Sequence, residues 1–265
     1  MREVGAVFLY ECRRMLTPGR MVWWLMIAGF PVAITLLVRW NLVQSGPVSG
    51  PDNVNAAWSL AYYMLIPGVC TALGVLVTAG PAVASELEQR SWIYLASRPH
   101  GVSRLLLGKY LAAVVFGCTA AWTGLSVSVP LCTADSKFRI WSAMLGLSGL
   151  SAVSSAAIFL FLGTAVLRRA MVMCMAWAFL VEGILGALPA LVNRLTVQYR
   201  LRSILVQWLP LPVDREGTPV LNYAIGGEPV WQHVGWILLL TGLFLAAAVL
   251  LGRLREFTTA AEGDV

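Results

Sequence analysis

Six long apolar runs, near residues 21–43, 59–83, 105–131, 140–167, 171–192 and 232–252, constrain this chain more than any motif in it. Each is long enough for a bilayer core, which takes roughly 20 helical residues. No water reaches backbone polar groups at that depth, so a spanning segment must satisfy its own N–H and C=O groups, as a helix does. With 58% hydrophobic and only 12% charged residues among 265, a soluble domain could not hide the apolar surface. The expected fold is therefore an all-α polytopic membrane protein with six transmembrane helices. Pro31, Pro67, Pro81, Pro130 and Pro189 lie in or at the ends of these runs. Membrane helices tolerate such prolines where neighbours satisfy the freed carbonyls.

The first 20 residues differ from the runs that follow. Val4, Val7, Phe8, Cys12 and Met15 recur at helical spacing, with Arg2, Arg13 and Arg14 elsewhere around the helix, and Thr17-Pro18-Gly19 ends it. Residues 1–20 thus read as an amphipathic helix lying in the membrane interface, its arginines toward anionic lipid. With the N-terminus inside, 12 of the 19 Lys and Arg fall on the cytoplasmic side, which favours cytoplasmic N- and C-termini and a short cytoplasmic tail over 256–265. The net charge of +6 then reads as a topology and lipid signal. Nucleic-acid binding would need a soluble basic face, and none is visible. Between spans five and six, Leu195-Thr196-Val197, Leu201, Ile204-Leu205 and Trp208 suggest an outer-side re-entrant or interfacial segment.

The longest charged stretch between two apolar runs is 85–104. Glu86 and Arg90 stand four apart in the favoured acid-before-base order, and Leu87, Ile93, Tyr94 and Leu95 make the stretch amphipathic. Arg98-Pro99-His100-Gly101 breaks it before a new helix near Ser103. The residues alone fit either a docking helix or an ordinary loop. The pattern Ser85-x-Glu86-x-Glu88-x-Arg90, then Leu95-x-Ser97-x-Pro99, then Arg104-x-x-Leu107-Gly108-Lys109-Tyr110 resembles the first cytoplasmic loop of ABC-2 type transporter permeases. It departs at Ser91-Trp92, where Gly-Thr is usual. A second stretch is similar to the later half of such subunits: Trp177-x-x-Leu180-x-Glu182-Gly183, followed by Arg194-Leu195-Thr196 and Tyr199-x-Leu201-Arg202-Ser203.

The resemblance implies an ABC-2 type transmembrane domain over 21–255 and a permease subunit of an exporter in a bacterial-type inner or plasma membrane. It implies a second permease copy or a related permease, as homodimer or heterodimer, and a separate ATP-binding subunit that holds ATP and magnesium. The contact with that subunit would involve Glu86, Glu88, Arg90, Trp92, Leu95, Ser97, Pro99 and Arg104. This chain itself fails the phosphate-loop pattern G-x-x-x-x-G-K-[ST]: Gly108-Lys109 is followed by Tyr110, and Ser103 stands where the first glycine belongs. It is read as no enzyme, with no cofactor or metal of its own.

Glu182 is the charge placed deepest in an apolar run, and a carboxyl there is expensive unless it faces protein or water. It reads either as a helix-packing residue or as a transport-linked one. The second possibility makes a proton-coupled secondary transporter the alternative function, and a non-transporting membrane assembly protein is a third. Small residues at four-residue spacing, Ser148-Ala152-Ala156 and Gly149-Val153-Ala157, point to close helix packing in span four. Gly146-Leu147-Ser148-Gly149 with His233 is similar to the layout of rhomboid-like intramembrane proteases. Depth argues against it, because Ser148 lies roughly 12 Å in and His233 about 3 Å. Met171, Cys174 and Met175 share a face that could offer soft sulfur to copper(I), though methionine more often fills packing.

Overall fold

The computed structural model describes residues 2–45, 51–89, 101–186, 191–209 and 227–254, and all regular structure among them is helical. In chain order these are α1 (Arg2–Met15), α2 (Pro18–Ser45), α3 (Pro51–Tyr63), a wide π segment Met64–Cys70, α4 (Thr71–Ala79) and α5 (Ala84–Glu88). After them come α6 (Gly101–Ser128), α7 (Lys137–Ala165), α8 (Ala170–Ala176), a second π segment Trp177–Leu185, a 3₁₀ turn Leu191–Leu195, α9 (Val197–Trp208) and α10 (Val230–Leu254).

Among the described residues, five stretches are long and apolar enough to cross a membrane: Pro18–Asn41, Val54–Glu88, Gly101–Leu131, Lys137–Ala165 and Val230–Leu254. The sequence places a further crossing over 171–192, where the structure has an apolar helix, Ala170–Leu185, of 16 residues. At about 1.5 Å per residue it falls short of the roughly 30 Å hydrocarbon core on its own. The chain is a multi-pass membrane protein by these lengths and compositions.

Small residues set how the crossings pack. The middle three, containing α3 and α4, α6, and α7, form the interior, whereas the most apolar windows of α2 and α10 are only 17% buried and offer their large side chains outward. Ser148, Ala152, Ala156 and Ala157 on α7 are buried, so the small-residue stripe read from the sequence does serve packing. A Cβ added at Gly117 of α6 would lie 2.6 Å from Val75, and one at Gly74 would lie 3.0 Å from Gly117, so α4 and α6 cross backbone to backbone. Gly163 of α7 meets Gly80 in the same way.

Side chains also serve the carbonyls of the prolines themselves. Pro67 has no N–H to give four residues back, the helix widens there, and Ser151 of α7 donates to the Pro67 carbonyl at 2.7 Å. Thr35 donates to the carbonyl of Pro31 at 2.7 Å and lies 3.2 Å from the Tyr62 hydroxyl. At the end opposite α1, Trp58 donates to Thr133, Tyr62 to the carbonyl of Ser128, and the Asp135 amide to Asn55, which tie the start of the second crossing to the end of the third.

A branched side chain at the α4–α7 crossing has nowhere to go. Gly163→Val is expected to cost roughly 1–3 kcal/mol through overpacking, read as a lowered thermal unfolding midpoint in detergent. Gly242→Ala, where an added Cβ meets nothing within 4 Å, is expected to leave that midpoint unchanged.

Candidate functional site: a buried ion cluster at the root of loop 85–104

The helices α1, α5 and α6 and the start of α2 meet at one end of the bundle, and each brings a charge. Lys109, on the third turn of α6 and 5% exposed, places its ammonium 2.7 Å from a Glu86 oxygen and 3.1 Å from a Glu11 oxygen. Glu11 and Glu86 are themselves buried. Arg14 stands 3.8 Å from Glu11 and 3.9 Å from Glu86, and Arg20 stands 3.8 Å from Glu11. At those distances the two arginines balance the charge of Glu11 and Glu86 without hydrogen bonding to them, and Arg14 Nη1 has no hydrogen-bond partner among the described residues. Lys109 holds both carboxylates within hydrogen-bonding reach.

The local sequence explains the convergence. Gly108 lets α1 lie directly on α6, since a Cβ there would meet Val7 at 2.6 Å. Phe8 and Met15 of α1 pack on Ala112 and Phe116 of α6, which brings Glu11, on the same stripe, over Lys109. Pro81 accepts from the Ser85 amide at 2.9 Å, turning the chain so that α5 swings Glu86 inward. A cavity of about 10 Å³, the size for one water, lies among Glu11, Arg20, Thr78, Ser85 and Lys109. Burial, then the charge of Glu11, pushes the Cys12 thiol above its ordinary pKa, so it remains protonated.

Of the residues assigned by resemblance to the partner contact, Glu86 thus faces the protein interior, while Glu88 is exposed at the end of α5 and Arg104 is half-buried in the first turn of α6. Arg90, Trp92, Leu95, Ser97 and Pro99, and with them the Glu86–Arg90 pair, lie outside the described residues. Glu11, Arg14 and Arg20 were not singled out from the sequence, although the signal is there. Glu11 interrupts the apolar stripe of α1 at the position between Phe8 and Met15, and a carboxylate on such a stripe needs a cation.

At the opposite end, Glu182 caps a helix. Its two oxygens accept the amides of Gln198, at 2.9 Å, and Val197, at 3.4 Å, at the start of α9. Thr196 adds an N-cap bond to Tyr199 at 3.3 Å. Tyr63, from the second crossing, donates to Gln198 at 2.9 and 2.8 Å. Arg202 donates to the Gly186 carbonyl. Arg200 reaches Glu228 at 2.6 Å, lies 3.3 Å from His233 Nδ1, and sits over the rings of Tyr199 and Trp236 at 5.5 Å each. These contacts support the packing role for Glu182.

The other sequence readings resolve in the same geometry. Ser148 accepts from Trp122 at 3.0 Å and donates to Leu145, whereas His233 faces Arg200 and Glu228, so no serine–histidine pair forms. Cys174 donates to the Phe159 carbonyl at 3.6 Å, and Met171 packs on Gly80. Both sulfurs fill the seam between α4, α7 and α8.

No family model matches the chain, and no curated protein matches it.

Removing the shared cation takes from two buried carboxylates the ammonium that lies between them. Lys109→Met is expected to destabilise the protein by about 3–5 kcal/mol, with much of the loss recovered in the triple variant Glu11→Gln/Glu86→Gln/Lys109→Met. Thermal unfolding of the single and combined variants measures this. For Glu182, Leu in its place is expected to cost roughly 1–2 kcal/mol as a lost cap, while Gln, which still accepts a hydrogen bond, is expected to keep most of the stability. The same unfolding assay separates them.

Proposed function

We propose that the chain is the membrane-spanning permease subunit of an ATP-driven exporter of the ABC-2 type, working with a separate ATP-binding subunit. The arrangement is six crossings with the termini and α1 in the cytoplasm, the fifth crossing containing Ala170–Leu185, and α9 is an outer re-entrant segment. A second copy or a related permease completes the pathway.

One observation carries this reading. The loop 85–104, whose pattern resembles the contact loop of these permeases, is rooted in the Glu86–Lys109–Glu11 cluster. A push on a loop anchored only by the flexible backbone would dissipate locally. Anchored through a buried ammonium, the same push is delivered to α6 and to α1 together. Glu86 then acts as the loop's fastening, while Glu88 and Arg104 remain at or near the surface for a partner. Closure of the partner on nucleotide would shift the population between two packings of the helices. Glu182, with both oxygens engaged by backbone amides, gives less support to the proton-coupled alternative.

Co-purification with an ATPase encoded beside this chain tests the proposal. Glu88→Lys/Arg90→Glu, with Glu86 left in place, is expected to lower subunit binding and transport-coupled ATPase activity by about tenfold or more without changing the unfolding midpoint, as loss of surface charge pairs at an interface does. Unchanged binding and activity, or labelling of a cysteine at Ser97 from outside intact cells, would remove the coupling role.

A further inference from the structure

The third crossing ends, at the side opposite α1, in a 3₁₀ turn, Val129–Leu131. The last four carbonyls of a helix have no partner further along its own axis and must find one elsewhere. Ser128 accepts from the Tyr62 hydroxyl at 3.0 Å, and Val129 from the Cys132 amide at 3.2 Å. The two that remain are served by cations: Pro130 by the Lys137 ammonium at 3.1 Å, and Leu131 by Arg39 Nη1 at 3.4 Å. Two full positive charges thus stand on consecutive carbonyls of a helix end that carries only about half a negative charge.

No carboxylate makes up the difference. Among the described residues neither Arg39 nor Lys137 forms an ion pair, and Asp135, exposed in the same turn, pairs with neither. Arg139 serves a different helix end, donating to the Trp208 carbonyl at 3.2 Å. Arg39 and Lys137 each keep further N–H groups for an acceptor from outside. Their surroundings are apolar and aromatic. Trp40, next to Arg39, is 69% exposed, and Phe138, next to Lys137, is 78% exposed with its ring stacked on Trp141. Since α2 starts at Pro18, Arg39 lies about 32 Å along it, where a roughly 30 Å hydrocarbon core gives way to headgroups. Exposed tryptophan at that level is what a bilayer interface favours.

We propose that Arg39 and Lys137 together bind the phosphate of one anionic phospholipid in the leaflet opposite α1. The guanidinium fork and the ammonium meet the phosphate oxygens, and an acyl chain lies against the exposed Leu36 and Trp40 of α2. Charge complementarity favours this occupant over a second copy of the chain. A two-fold contact through this patch would bring both pairs of cations together, outnumbering the Asp135 carboxylates. A soluble anion would leave the apolar rim of Leu36, Trp40 and Phe138 unused.

A photocrosslinker, p-benzoylphenylalanine in place of Phe138, reads this patch when the full chain is held in nanodiscs of phosphatidylglycerol and phosphatidylcholine in known ratio. Mass spectrometry of the irradiated protein is expected to show phosphatidylglycerol adducts enriched roughly twentyfold over the bulk ratio, with Arg39→Gln and Lys137→Gln each lowering this about fivefold. The double variant is expected to return to the bulk ratio with its unfolding midpoint kept, while Arg39→Lys retains much of the enrichment. In about 1 M salt the wild-type enrichment is expected to fall several-fold, a reading that requires no variant to fold. Adducts at the bulk ratio in wild type, enrichment insensitive to salt, or enrichment undiminished in the double variant overturns the proposal. So does its loss to inorganic phosphate, which would mark a site for a soluble anion, or adducts formed chiefly between copies of the chain. None of these readouts involves an ATPase, so their failure leaves the export proposal standing, and the reverse.

Discussion

An ammonium enclosed by two carboxylates, buried among Met15, Pro81, Ala82 and Ala112, sets the architecture of the α1 end. Ions are costly to withdraw from water, and the cost is met only when the partners lie at hydrogen-bonding distance with the right count of charges. Lys109 therefore dictates where three other pieces of chain can be. α1 must present Glu11, α5 must turn Glu86 inward, and Arg14 and Arg20 must stand near enough to balance the second carboxylate. An apolar cluster at this place would hold the helices together but would allow them to slide. Charges with defined partners fix the register.

The opposite end uses a different device for the same purpose. There the fixed points are backbone amides and carbonyls served by side chains from distant segments: Glu182 on α9, Tyr63 on Gln198, Ser151 on Pro67. Between the two ends, glycine and alanine allow the backbones of α4, α6 and α7 to touch, and the least buried crossings are α2 and α10. In a bilayer, apolar side chains gain little by leaving lipid for protein, and close backbone contact with satisfied polar groups is what distinguishes one helix arrangement from another.

Much of this was legible in the sequence because it follows from one constraint, the thickness of the hydrocarbon layer. The apolar runs located the long helices, and the four-residue repeat of small side chains on α7 marked a packed face that the structure buries. The run at 171–192 was harder to read, because hydropathy does not register where a helix changes pitch or stops, and here the helix widens from Trp177 and reaches Leu185. The ion cluster was half legible. Glu86 was noticed for its neighbour Arg90, four residues along, whereas its described partners are Lys109, across a loop, and Arg14, in a separate helix. Spacing rules report pairs within one helix and are silent about pairs that only the fold creates. Glu11 illustrates the remedy: an acid on the wrong face of an amphipathic helix announces a cation elsewhere, even when the sequence does not say which.

The π segment Met64–Cys70 divides the second crossing into two arms with different loyalties. Above it, Tyr62 and Tyr63 are bound to Ser128 and to Gln198 of α9; below it, Gly74 is locked against Gly117, and Gly80 against Gly163. A widened turn carries surplus length, and its carbonyls are already served from the side, by Ser151 and Thr71, rather than only along the axis. The crossing is thus articulated like a knee, with the shin gripped by α6 and α7 and the thigh attached to α9.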